Sequence, residues 1–180
     1  VRAALGKRIG AARGNQLTMD EVRDVARRAR ELAAVSAEDK DFVSLASPQP
    51  IPDVPSYDEA TAASRPESRA AAVRELVAVA QREACQASGS LSAETAELAI
   101  GNSLGVRAYA PSTQAGLVLV AVGDKSSGYA EWHGLDLAQL SPRAAAETAV
   151  RKCVLGRGAE AIEPGVYTVI LEPPAVADML

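Results

Sequence analysis

Apolar residues fall into three stripes with helical spacing. The first is Val22, Val25, Ala26, Ala29, Leu32 and Ala33, which predicts an amphipathic helix running to about Ala34. Thr18 stands three residues before Glu21, a capping-box pair in which each side chain would satisfy an unpaired amide of the first turn. The second stripe is Val73, Leu76, Val77, Ala80, Ala84 and Ala87; Ser64 and Pro66 open that helix and Gly89 is its natural stop. The third is Ala146, Ala149, Val150 and Cys153, begun by Ser141 and Pro142 and ended by Gly156 and Gly158.

Between the second and third stripes the period shortens. Residues 90–101, 105–112, 115–123 and 127–133 read as four strands of an antiparallel meander, broken by the turn-rich strings GNSLG and GDKSSG. The run from Gly116 to Val122 is continuously apolar and is predicted to be the central strand. A further strand is predicted over 166–171, followed by the start of a helix. The opening string ALGKRIGAARGN is short and basic, and suits a strand at a sheet edge, where charge discourages further pairing. Segregated helices and strands predict an α+β fold, an antiparallel meander sheet packed with about three amphipathic helices.

From 47 to 55 the chain reads SPQPIPDVP. Proline neither donates to a ladder nor continues a helix, so this is an extended connector, read as a linker rather than as a proline-motif ligand. A length of 180 residues is enough to bury one sizeable core, and the expectation is one α+β domain over 1–180. Only 3% of the residues are aromatic against 48% hydrophobic, so the core must be built from Ala, Val and Leu, with helices packed closely through small side chains.

A net charge of −4 argues against nucleic acid, whose binding depends on concentrated Lys and Arg. Lys7, Arg8 and Arg13 cluster near the start. Arg23, Arg27 and Arg30 share a helical face, but Asp20, Asp24 and Glu31 are interleaved with them, which makes a solvated ion-pair face. Cys85 and Cys153 fall on separate predicted helices, far from any C-x-x-C spacing, and read as reduced, partly buried thiols of a cytoplasmic protein. No apolar run approaches the roughly 20 residues that a membrane helix requires.

Candidate chemistry is sparse. His133 is the one histidine and has no metal-ligand spacing around it. Gly101 to Gly105 spells G-x-S-x-G around Ser103, with Asp124 and His133 following in hydrolase order. A nucleophile elbow needs a helix after the serine, however, whereas VRAYAPS reads as a strand. The turn also lacks a P-loop lysine, and Asn102 and Gly105 suit a hairpin connection. Cys153 lies amid an apolar stripe, where burial raises a thiol's pKa. Glu94 and Glu97, like Asp39 and Asp41, read as solvated charges. No catalytic, cofactor-binding or metal residue is assigned, and the chain reads as inactive alone.

The helix DVARRARELA, the string NSLG at Asn102 to Gly105, the segment SSGYAEW and the stretch AAETAVRKCVLGRGAEAIEPGVYTVILEPPAVADML together resemble the TldD/PmbA family. That family comprises the so-called modulators of DNA gyrase that form a zinc-dependent peptidase pair. The resemblance implies the N-terminal portion of a longer two-domain protein, with two subunits enclosing a cavity. In the metal-bearing subunit the first histidine of an H-E-x-x-x-H helix would fall at or just beyond Leu180, with a distant cysteine completing the site, so no family ligand maps onto these residues. PAVADML is more similar to the PmbA (TldE) branch, which lacks the motif. The implied function is a cavity-forming scaffold region that carries no cofactor itself. Zinc would sit in a TldD-like partner subunit or in a following C-terminal region, and peptides would be the substrates of the complex. Self-association is the other partner considered. A DNA- or gyrase-interacting module and a stand-alone interaction domain pairing through strand edges are the alternatives.

Overall fold

The first stripe forms α1, Met19–Val35, and it buries Val25, Ala29 and Ala33. Thr18 Oγ1 accepts the Glu21 amide at 3.3 Å, as the capping box requires. The reciprocal half is not made: the Glu21 carboxylate accepts from Arg28 at 3.3 Å instead. The computed structural model describes residues 1–180, which divide into two compact units, 1–49 with 101–106, and 50–100 with 107–180.

In the first unit α1 packs on a two-stranded antiparallel hairpin, β1 (Arg2–Leu5) and β2 (Arg8–Ala11). Gly10 makes this approach possible, because a Cβ there would overlap Ala29 O and Ala33 N of α1. The basic residues predicted to guard a sheet edge serve the unit internally. Lys7 Nζ donates to Lys40 O at 3.0 Å, and Arg8 donates to Ala34 O at 3.3 Å, satisfying a carbonyl in the last turn of α1. Arg8 also bridges to Glu38, both through the backbone and by a 3.8 Å ion pair.

The second unit holds a three-stranded sheet in the order β3 (Gln86–Gly101), β4 (Arg107–Val122), β5 (Ser127–Gly134). The predicted second and third strands are one: Thr113 and Gln114, the gap between them, lie inside β4, as does Pro111. Proline suits a position where no ladder amide is needed, and here Pro111 O accepts from Ser56 Oγ at 2.8 Å while the Thr113 amide bonds Ser56 O at 2.9 Å. The predicted central strand is central. In the antiparallel β4–β5 register, Leu117 faces Trp132, Leu119 faces Ala130 and Ala121 faces Gly128, so these residues line one face.

Two helices cover that face, α3 (Pro66–Arg82) and α4 (Pro142–Leu155), preceded in the chain by the short α2 (Glu59–Ala62). The core joins Leu76 and Ala80 of α3, Ala146, Ala149, Val150 and Cys153 of α4, and Leu117, Leu119, Ala121 and Ala130 of the sheet. Small residues dominate it, as the composition implied. Gly128 is needed where α4 crosses β5, since a Cβ would overlap Ala149 O and Cys153 N. Ser141 caps α4, accepting the Ala144 amide at 3.4 Å, and Pro142 occupies its first turn.

α3 ends well before Gly89. Ala84 takes a left-handed conformation with φ of 52°, its amide bonds Gln81 O at 3.1 Å, and the Cys85 amide bonds Ala80 O at 3.0 Å. That pair of bonds is a Schellman closure with alanine in the position that usually holds glycine. The predicted strand over 166–171 does not form. Its side chains are exposed, Val166 and Ile170 almost fully, and no neighbouring strand supplies ladder bonds; α5 (Pro173–Ala177) follows. The proline-rich stretch 47–55 carries no regular structure, as expected. The fold is α+β.

Candidate functional site

Around Ser103 the chain makes a tight connection between two strands, not a strand-to-helix elbow. Asn102 Oδ1 accepts the amides of Leu104 at 2.9 Å and Val106 at 3.1 Å, and its Nδ2 donates to Ala46 O at 2.7 Å. Gly105 closes the turn with φ of 100°. The amides of Asn102, Leu104, Gly105 and Val106 all bond within this loop, and a strand rather than a helix follows Ser103, so the nucleophile elbow that the hydrolase reading of Ser103, Asp124 and His133 requires is not formed.

His133 belongs to a different group. Residues 129, 131 and 133 alternate along β5 and so share the face opposite α4. Tyr129 Oη donates to Glu131 Oε2 at 2.6 Å, and His133 Nε2 lies 3.7 Å from the same oxygen. The hydrogen bond to Glu131, with desolvation and the carboxylate charge, pushes the Tyr129 phenol up from its ordinary value. The His133 side chain is half exposed, and Lys152 Nζ donates to Tyr129 O at 2.9 Å. Strand periodicity could have found this row, since Tyr129, Glu131 and His133 are spaced by two within a segment read as a strand.

Cys85 and Cys153 come together. Their Sγ atoms are 3.5 Å apart in the core, and both thiols are free. Cys85 lies just beyond α3 rather than within a helix. Ser126, above all, holds the Cys153 thiol below its ordinary value against the opposing effect of burial, so the expected upward shift is reversed there. Desolvation pushes Cys85 up. Nothing in the local sequence signals this pairing, which depends on how α3 and α4 meet.

On α1, Arg27 pairs with Asp24 and with Glu31 at 2.9 Å, and Arg28 pairs with Asp24 at 3.1 Å. This is the expected solvated ion-pair face, with Arg28 rather than Arg30 in the network. Zinc needs several donors on one centre, three of them from protein even in an open catalytic site. Here the lone histidine has only Glu131 beside it, the two thiols have the Arg157 guanidinium 3.7 Å from Cys85 Sγ, and nowhere do three or more His, Cys, Asp or Glu side chains converge. The residues of this chain do not fit a zinc centre.

A family model described as the PmbA/TldA metallopeptidase central domain matches residues 48–156. The chain belongs to the PmbA/TldD family. A comparison with curated protein sequences gives no match. Among solved structures, TldE from Thermococcus kodakarensis is similar with a TM-score of 0.69 at 20% identity, over 85% of this chain and 36% of that one. A Thermotoga maritima MSB8 protein, provisionally described as a modulator of a DNA gyrase, gives 0.76 at 14% identity, over 91% of this chain and 38% of its own. A Bacteroides thetaiotaomicron VPI-5482 protein of similar description gives 0.70 at 19%, over 90% and 40%. These likenesses show a shared fold. The chain of this PmbA/TldD member spans between 36% and 40% of the length of those relatives.

Proposed function

We propose that this chain is the N-terminal α+β portion of a PmbA/TldE-like subunit, which walls a cavity in which a metal-bearing, TldD-like partner cuts peptides. The observation that carries the reading is the match of residues 48–156 to a metallopeptidase central domain, in a chain whose side chains do not converge on a zinc centre. The fold likeness to TldE agrees with it. In physical terms the metal of the partner would polarise the scissile carbonyl and activate water, while this chain shapes and encloses the space around the peptide. A longer two-domain subunit acting in the cytoplasm completes the proposal. No helix here is long and apolar enough to cross a membrane.

Light scattering on a mixture of this protein with a TldD-like subunit tests the subunit role. A mixed species heavier than either component is expected; two independently eluting species would overturn it. A gyrase- or DNA-interacting module is the second reading, favoured by the descriptions of two similar structures. The net charge of −4 and the internal pairing of Arg27 and Arg28 stand against it. A duplex affinity falling steeply with salt would rescue that reading.

A further inference from the structure

The chain has two cysteines, 68 positions apart, and the fold brings both sulfurs into one apolar core at 3.5 Å. Polar groups gather around them where the rest of that core has almost none. Ser126 Oγ lies 3.4 Å from Cys153 Sγ, and Arg157 reaches Cys85 Sγ at 3.7 Å while also donating to Glu83 O. The backbone on both sides is pinned, by the Schellman bonds at Cys85 and by the helical ladder at Cys153. A separation of 3.5 Å is a non-bonded contact, and a disulfide needs about 2.05 Å, a closure of roughly 1.5 Å.

We propose that Cys85 and Cys153 are a modification site, forming a reversible intramolecular disulfide with hydrogen peroxide as the oxidant. Cys85 is the point of entry, because it lies at the end of α3 with 4% of its surface exposed while Cys153 has none. Its thiolate, which burial disfavours and the Arg157 guanidinium 3.7 Å away in part favours, attacks a peroxide oxygen. The O–O bond breaks, an S–O bond forms, and the departing hydroxide takes the thiol's proton to leave as water. Cys153 Sγ, approached by Ser126, then attacks the sulfenic sulfur of Cys85. The S–S bond forms, the S–O bond breaks, and hydroxide leaves with the Cys153 proton as a second water. Two thiols have lost two electrons and two protons, and one peroxide has become two waters.

The resulting cross-link would staple the end of α3 to α4. It would also close a long loop in the unfolded chain, so the oxidised form should resist unfolding more than the reduced form.

The test treats the native protein with hydrogen peroxide and maps thiols and peptides before and after reduction. The expected result is a linked peptide containing Cys85 and Cys153, loss of both free thiols, recovery of both on reduction, and a higher urea midpoint for the oxidised form. Cys85→Ser should abolish the linked peptide. Both cysteines remaining as thiols, or over-oxidising without a cross-link while the protein stays folded, would overturn the proposal. So would a cross-linked form with a lower urea midpoint than the reduced one. The midpoint comparison uses the natural sequence alone and stands whether or not the serine variant folds.

Discussion

Where α4 crosses β5 the contact is made by Gly128, Ala130, Ala146 and Ala149, and the backbones come close enough that one added methyl group has nowhere to go. Gly128→Val is therefore expected to lower stability by about 3 kcal/mol or more, read from the urea midpoint at constant m-value. An effect within experimental error would mean that α4 stands further from the sheet. Asp24 offers a titration at the same scale. Arg27 donates to its carboxylate and holds it below the ordinary value, so its folded pKa is depressed relative to the unfolded chain. The pairing then contributes at pH above the unfolded carboxylate pKa and is lost as pH falls through the folded one. NMR titration should place the Asp24 midpoint below that of a free aspartate, and Arg27→Gln should raise it; an unmoved midpoint removes the pair. The side-chain spacing of α1 made this face legible in advance. The meeting of Cys85 with Cys153 was not legible, because it is set by the packing of α3 on α4 and by no local pattern.

At the scale of elements, caps were the most readable features. Thr18, Ser141 and Pro142 mark starts because a helix must satisfy its first amides locally. Thr18→Ala should cost about 1 kcal/mol by the same urea assay. Stops were harder to read. Gly89 was the natural glycine stop, yet α3 closes at Ala84, whose left-handed conformation sequence preference does not anticipate. Ala84→Gly is accordingly expected to stabilise the protein by roughly 0.5–1 kcal/mol, through relief of that conformation. A loss of stability would show that the alanine methyl group is needed. Strand boundaries failed for a related reason: residues 113 and 114 read as a gap between two strands, and only the position of Ser56 beside Pro111 and Thr113 shows how β4 continues there. The run 166–171 has strand-like residues, but a strand exists only where a partner accepts its hydrogen bonds.

For the whole molecule, the expectation of an α+β chain with a small-residue core was legible because composition and periodicity act everywhere at once. The separation into two compact units was not, since it follows from which distant segments touch. The alternative of a self-pairing module loses ground at this scale, because Lys7 and Arg8 are spent inside the first unit. Lys7→Ala with Arg8→Ala should leave the association state unchanged by light scattering, and a shift would revive the edge-pairing reading. The central claim is that this chain supports a metal-dependent peptidase without holding the metal. Its most direct test is zinc content by mass spectrometry together with peptide cleavage by the purified protein alone. The account expects far less than one zinc per chain and no cleavage; one tightly held zinc per chain, or cleavage without a partner, would contradict it.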